Sequence, residues 1–285
     1  MTAPAHTATH AGRALTAAQG IAARSAPPAR LARPRPSHAE FLGLPFALAS
    51  LDETVRLIVS QCEGPFAYVV TPNAQHVVAV HERGEELAAI YRSAWLSVCD
   101  SQVVRGLAAL DGLSLPLVTG SDLVAALLAE QNGGPAGRGQ LRLLVVGPDT
   151  ATEALLRVRY PRARIEAMPA PARLAQRADL RLEVACTCMR RPWDVLLLCV
   201  GSPAQEMIAA LIAARGHTSG VALCVGASID FLIGRQTRAP RWLRRLGLEW
   251  AYRLMREPGR LWRRYLIESP RIVRIFLAER STRRR

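Results

Sequence analysis

The stretch Asp194-Val-Leu-Leu-Leu-Cys-Val-Gly201-Ser-Pro-Ala-Gln-Glu-Met-Ile-Ala-Ala-Leu-Ile-Ala-Ala-Arg215 decides the fold. Its first part, Asp194–Gly201, is a strand-length apolar run without alternation, the pattern of a strand covered on both faces. Glycine and proline then punctuate the chain, and apolar residues resume at helical spacing over Pro203–Arg215. The same succession recurs outward from this stretch. Strand-length apolar runs lie at Phe66–Thr71, Trp95–Asp100, Leu141–Gly147 and Val221–Gly226. Helical patterns lie between them at Asp52–Gln61, Gln75–Arg92, Asp122–Glu130 and Thr152–Arg159. Ser50-x-x-Glu53, Thr150-x-x-Glu153 and Ser202-x-x-Gln205 fit capping boxes, in which a hydroxyl serves an early helix N–H and the later side chain reaches back. Alternation of this kind predicts an α/β fold, with a largely parallel sheet flanked by helices.

Charge divides the 285 residues more sharply than hydropathy does. All 37 basic residues are Arg, and they are unevenly placed. Residues 1–39 hold five Arg and no acid, and their Ala, Thr and Pro content reads as a disordered extension. Residues 40–234, the expected catalytic core, carry a net charge of −3, whereas residues 235–285 carry +12. That C-terminal segment reads as helices restarted at Pro258 and Pro270, with three of the five Trp set among Arg. A basic amphipathic appendage with Trp suits an anionic membrane interface; a solvated helical face packed on the core is the plainer alternative. A nucleic-acid binder is the weaker reading, since no DNA- or RNA-binding signature accompanies the charge. No apolar run is long enough to span a membrane, and no apolar signal region opens the chain, so a reducing cytoplasmic setting is expected. Cys186-Thr-Cys188 lacks zinc spacing, and His76 and His81 read as helix-surface residues.

In parallel sheets, ligands gather at the carboxyl ends of the strands. The candidates there are Thr71-Pro-Asn73, Asp100-Ser101, Gly147-Pro-Asp149, Gly201-Ser-Pro203 and Gly226-Ala-Ser228. Dinucleotide and P-loop glycine patterns are missing, as are the nucleophile elbow and the His-Glu-x-x-His metal site. If a diphosphate leaves during catalysis, Arg must neutralise it, which a guanidinium does bidentately and at any working pH.

Five motifs are specific as an ordered set: Thr71-Pro-Asn-Ala-Gln-His76, Thr119-Gly-Ser-Asp-Leu123, Gly201-Ser-Pro-Ala-Gln-Glu206, Val225-Gly-Ala-Ser-Ile-Asp-Phe-Leu-Ile-Gly234 and Arg238-Ala-Pro-Arg-Trp-Leu-Arg-Arg-Leu-Gly-Leu-Glu-Trp250. From about Phe66 to Leu266 the chain resembles the bacterial WecG/TagA/CpsF glycosyltransferases (glycosyltransferase family 26). The resemblance implies an inverting transferase that needs neither cofactor nor metal. It would move a hexosyl or N-acetylhexosaminyl group from a UDP-sugar to a polyprenyl-diphosphate-linked sugar in cell-surface polysaccharide synthesis. It also implies an α/β core with a C-terminal Arg-rich helical appendage that docks on the membrane. The setting would be the inner face of the cytoplasmic membrane, with no nucleic-acid partner; a homo-oligomer is left open.

Carried over by resemblance, Asp100 matches the catalytic base, which must take the proton of an otherwise poor hydroxyl nucleophile. The bland alternative is that Asp100 caps the helix that follows it. Thr71, Asn73, Thr119, Ser121 and Asp122 match polar residues of the substrate pocket. Gly201, Gln205, Glu206, Gly226 and Asp230 match the nucleotide side, and Arg238, Arg241, Arg245 and Arg253 match the appendage that faces diphosphate and lipid. Two positions depart from the pattern: Ser101 stands where Gly follows the base, and Ala204 stands where Lys is usual. Ser101 adds a side chain beside the reacting centre and puts N-acetylmannosamine specificity in question, while Ala204 reads as the loss of a surface contact. A degenerate member that only scaffolds polysaccharide assembly is the remaining alternative.

Overall fold

The computed structural model describes residues 36–133, 140–236, 239–240, 242–243 and 248–283. Most of the extension expected at 1–39 lies outside the described residues, as do Arg238, Arg241 and Arg245. The described chain opens with an antiparallel hairpin, β1 (His38–Phe41) and β2 (Leu44–Ala47), that the sequence reading did not assign. The six strands that follow are β3 (Ala67–Val70), β4 (Leu96–Ser97), β5 (Arg142–Gly147), β6 (Arg164–Pro169), β7 (Val195–Leu198) and β8 (Val221–Cys224). They form one sheet in the order β4-β3-β8-β7-β5-β6, with every pairing parallel.

Alternate residues of these strands enter two different cores, as a period of two requires. Tyr68, Val70, Leu144, Leu196 and Cys224 face one core, and Val69, Leu143, Val145, Leu197 and Leu223 the other. Helices close both faces. α1 (Leu51–Gln61), α5 (Gly120–Gly133), α6 (Thr150–Arg159) and α9 (Ser228–Leu232) bury residues on the second side. α2 (Ala74–Arg83), α3 (Glu85–Ser93), α4 (Gln102–Leu110), α7 (Ala178–Met189) and α8 (Ala204–Ala214) pack on the first.

Several local expectations are corrected. The helix expected over Gln75–Arg92 is two helices, because Gly84 adopts a φ of 73° that ends the first and opens the second. Ser50 Oγ accepts from Glu53 N–H, which is the first half of the box expected at α1. At α6 the cap is Asp149 rather than Thr150: its Oδ1 accepts from the Thr152 N–H and hydroxyl at 2.8 and 2.6 Å. No side chain caps α8, so the box expected at Ser202 does not form. β6, α4 and α7 were not assigned from sequence. β6 mixes exposed Arg and Glu with buried Ile165 and Met168, the pattern of an edge strand rather than an apolar run.

The C-terminal segment holds α10 (Glu249–Arg256), α11 (Pro258–Trp262), a π-helical turn (Arg263–Glu268) and α12 (Arg271–Arg283). Pro258 is the first residue of α11 and Pro270 directly precedes α12, as expected of prolines that start helices. None of the helices is long and apolar enough to cross a membrane among the described residues. α12 is seated on the body. Ile272 and Phe276, four residues apart, are buried, and Phe276 meets Phe41 of the hairpin with ring centroids 6.1 Å apart. Arg271 pairs with Glu82, Arg280 lies 3.4 Å from Asp111, and Gln75 Nε2 donates to Glu268 Oε2 at 3.2 Å. The boundary in charge at residue 234 is therefore not a boundary in packing for α12.

Candidate active site

The sheet's connectivity locates its crevice. β5 leads through α6 to β6 at one edge, whereas its neighbour β7 leads through α8 to β8 in the other direction. Connections that part in this way open a cleft at the carboxyl ends. Gly147, at φ 123°, lets the end of β5 lie against β7: a Cβ there would be 2.8 Å from the Cys199 carbonyl oxygen.

Asp100 stands at the end of the extended segment that follows β4. Its N–H donates to the Pro72 carbonyl at 3.1 Å, and the Cys99 carbonyl accepts from Val118 N–H at 2.9 Å. This grip brings the carboxylate to the start of α5, where Gly120 N–H donates to Asp100 Oδ2 at 3.2 Å. Burial pushes the carboxyl up to about 7; Glu249 and Asp122 add to the rise, and the Gly120 hydrogen bond and Arg253 oppose it. The helix that follows Asp100 is capped by Ser101, whose Oγ accepts from Val104 N–H at 3.2 Å. Asp100 is thus not the cap of that helix, and the Ser101 side chain is engaged in capping it.

The neighbouring candidates fall into two groups. Thr71 is buried and donates to the Cys224 carbonyl at 2.9 Å, tying β3 to the end of β8. Asn73 caps α2 by accepting from Gln75 and His76 N–H, and His76 Nδ1 accepts in return from Asn73 N–H. His76 is accordingly buried rather than on the helix surface, whereas His81 is exposed. Thr119, Ser121 and Asp122 organise the start of α5: Thr119 Oγ1 donates to Asp122 Oδ2 at 2.7 Å and accepts from Asp122 N–H at 3.1 Å. Thr119 and Ser121 hydroxyls are 3.3 Å apart. Of these, Asp122 acts electrostatically on Asp100, and Thr71 lies against Gly120, whose N–H holds the carboxylate.

On the β7 and β8 side, Gly201 takes a φ of 78° and Gly226 one of 54°. Gln205 and Glu206 are buried, with relative exposures of 2% and 0%. Gln205 Nε2 donates to Glu206 Oε1 at 2.8 Å, and Gln205 Oε1 accepts from Gly226 N–H at 2.9 Å. Neither side chain reaches the surface. Ala204 is also buried, which corrects its reading as a surface position. Asp230 lies in α9, and its carbonyl accepts from Gln236 N–H at 3.0 Å.

A cavity of about 180 Å³ lies beside this turn, lined by Phe231, Arg235, Gln236, Arg253, Arg256 and Glu257. Arg253 sits over the Phe231 ring, 5.2 Å from its centroid. Arg235 reaches Asp149 at the end of β5, N to O 3.2 Å, so the cavity adjoins the crevice between β5 and β7. Of the appendage Arg chosen from sequence, the described residues include Arg253 alone, and it lines this cavity. Arg235 and Arg256 were missed, although Arg235 directly follows the Gly234 that ends the Gly226 motif. Among the described residues no three His, Cys, Asp or Glu cluster as a metal-ligand set.

The family model described as Glycosyl transferase WecG/TagA/CpsF family matches residues 39–285, from the hairpin through α12. By that match, which takes in the sheet, the Asp100 site and the Arg-lined cavity together, the chain belongs to the WecG/TagA/CpsF family of glycosyltransferases.

Proposed function

We propose that the protein transfers a hexosyl or N-acetylhexosaminyl group from a UDP-sugar to a sugar carried on a polyprenyl diphosphate, with inversion, in the synthesis of a cell-surface polysaccharide. The donor is of the UDP-N-acetylmannosamine, UDP-N-acetylmannosaminuronate or UDP-glucose kind. The observation that carries this reading is the double position of Arg253, which acts electrostatically on Asp100 and also lines the Arg cavity. A base for the acceptor hydroxyl and cations for the departing diphosphate thereby share one site.

In this mechanism Asp100 takes the acceptor proton as the hydroxyl oxygen attacks the anomeric carbon. The bond to UDP breaks on the opposite face, and UDP leaves with the electron pair. A carboxyl poised near 7 suits proton transfer at neutral pH. Arg235, Arg253 and Arg256 counter the charge that develops on the leaving diphosphate, the role a divalent cation fills in other sites. Thr71 and the Thr119-Ser121-Asp122 group fix the walls around the base. On the outer side, Trp242, Met255, Trp262 and Leu266 are exposed among Arg, which supports docking on an anionic membrane where the lipid carrier resides.

A panel of UDP-sugars tested with lipid-linked acceptors, read by product mass and UDP release, tests the reading. Transfer that persists in chelator and fails in Asp100→Asn is the expected result. Wild-type activity in Asp100→Asn, or loss of turnover on chelation, refutes the mechanism. Unchanged binding to anionic vesicles when exposed Trp242, Met255, Trp262 and Leu266 are all replaced by Ser refutes the membrane role.

A further inference from the structure

Glu206 is the most deeply buried polar candidate among the described residues, and its position does not fit contact with substrate. It lies wholly inside the protein, in the first turn of α8, and forms no ion pair among the described residues. One carboxyl oxygen, Oε1, accepts from Gln205; the other, Oε2, has no hydrogen-bond partner among the described residues. Burial pushes the carboxyl up, and the Gln205 amide, with smaller contributions from its own backbone N–H and the Ser202 and Tyr91 hydroxyls, acts in the other direction without offsetting it. Burying a carboxylic acid in this way costs stability, and a Gln or Leu would fill similar space more cheaply.

The hydrogen bonds around it give a reason for its presence. An amide side chain can be turned either way, and only one orientation of Gln205 presents an oxygen to Gly226 N–H. The reversed amide would set NH₂ against N–H and leave both donors unpaired. An acceptor at Glu206 Oε1 forbids that reversal by claiming the Gln205 nitrogen. We propose that Glu206 is a positioning residue that locks the Gln205 amide, which in turn holds the Gly226 turn in register with the catalytic strand ends.

The turn has little freedom to shift without consequence. Ser228 Oγ donates back to the Val225 carbonyl, closing it. It abuts the start of α5 so closely that a Cβ on Gly120 would lie 3.1 Å from Ser228 Oγ and 3.4 Å from the Val225 carbonyl oxygen. Gly120 is the residue whose N–H holds Asp100. A chain of contacts therefore runs from buried Glu206 and Gln205 through the Gly226 turn to Gly120 and the base. Glu206 acts at the end of that chain without touching substrate.

This inference rests on the transferase reading for its kinetic consequence but not for its structural one, and the test separates the two. Amide hydrogen exchange at Gly226 is measured in the full-length wild type and in Glu206→Gln and Glu206→Leu. Glu206→Gln retains a side-chain oxygen that can accept from Gln205, so protection at Gly226 and the pH–rate profile stay as in the wild type. Glu206→Leu fills the space but leaves Gln205 free to reverse. Protection at Gly226 then falls about tenfold, the value of one hydrogen bond. The acid limb of kcat moves to higher pH as Asp100 loses the support of Gly120. Unaltered Gly226 exchange in Glu206→Leu overturns the proposal, as does a loss in Glu206→Gln equal to that in Glu206→Leu. Should Glu206→Leu not fold, Glu206→Met, which also lacks an oxygen acceptor, takes its place with the same expected fall, and unaltered Gly226 exchange there overturns the proposal. Absence of sugar transfer by the wild type, with the exchange pattern as expected, defeats the transferase reading and leaves the positioning role intact.

Discussion

Replacing Asp100 with Asn should abolish turnover and also make the protein more stable, and the second effect can be worked out from the site. The Asp100 carboxyl is raised from its ordinary 3.8 to about 7, first by burial and then by Glu249 and Asp122. In the unfolded chain the group ionises near its ordinary value, so between these two pH values the folded state holds the extra proton. Stability then falls as pH rises through that window, and the full cost is present above about pH 7. Each pH unit is worth about 1.4 kcal/mol, so the interval sets a ceiling of about 4 kcal/mol. Residual solvent contact of this half-buried residue reduces that to about 2 kcal/mol. Asn never ionises, and its side-chain oxygen can still accept from Gly120 N–H. For a chain of this size, the melting temperature of Asp100→Asn should exceed that of the wild type by about 4–8 °C at pH 8 and by little at pH 4. Differential scanning fluorimetry across pH 4–8 measures this directly. A constant difference at all pH values, or a less stable variant at pH 8, would falsify the assigned environment of Asp100.

Three further outcomes follow from the same geometry. Arg253→Gln should move the acid limb of the pH–rate profile upward and Glu249→Gln should move it downward, because Arg253 lowers and Glu249 raises the affinity of Asp100 for its proton; shifts of the same sign would exclude that arrangement. Gly120→Ala places a methyl 3.1 Å from Ser228 Oγ and 3.4 Å from Thr71 Oγ1, which should cost about 1–3 kcal/mol in urea titration and depress kcat more than it raises KM. Phe276→Ala, which empties a buried site against Phe41, should lower stability by about 3–5 kcal/mol; a loss below about 1 kcal/mol would show that α12 is not seated as described.

The fold was legible where the sheet is central. β5, β7 and β8 are covered on both faces, so their sequences are unbroken apolar runs, and the glycines after them mark the turns. β6 was not legible because an edge strand with one covered face alternates, and Arg164 and Glu166 interrupt its apolar signal. The hairpin escaped for a related reason: its two four-residue strands enclose a turn whose first residue, Leu42, takes a positive φ of 49° without being glycine. At the site, residue types and spacing pointed to Asp100, but nothing local announced Gly120 N–H as its partner, which chain reversal through Val118 supplies. Gln205 and Glu206 were legible as a motif and not as buried groups, since Gln and Glu read as surface residues until their hydrogen bonds are known. Arg235 does not stand out in the sequence, because segment charge carries no position and its placement depends on Asp149 just beyond the end of β5.

The seating of α12 on the hairpin has a consequence for how the chain can be altered. Glu249 and Arg253 adjust, beneath the larger effect of burial, the proton affinity of Asp100 from a stretch whose far end is fastened through Glu268, Arg271 and Phe276. Trimming or fusing at the extreme C-terminus therefore loosens a strut rather than a tail, and its cost would register as retuned acidity at residue 100, in a part of the molecule the edit never touches.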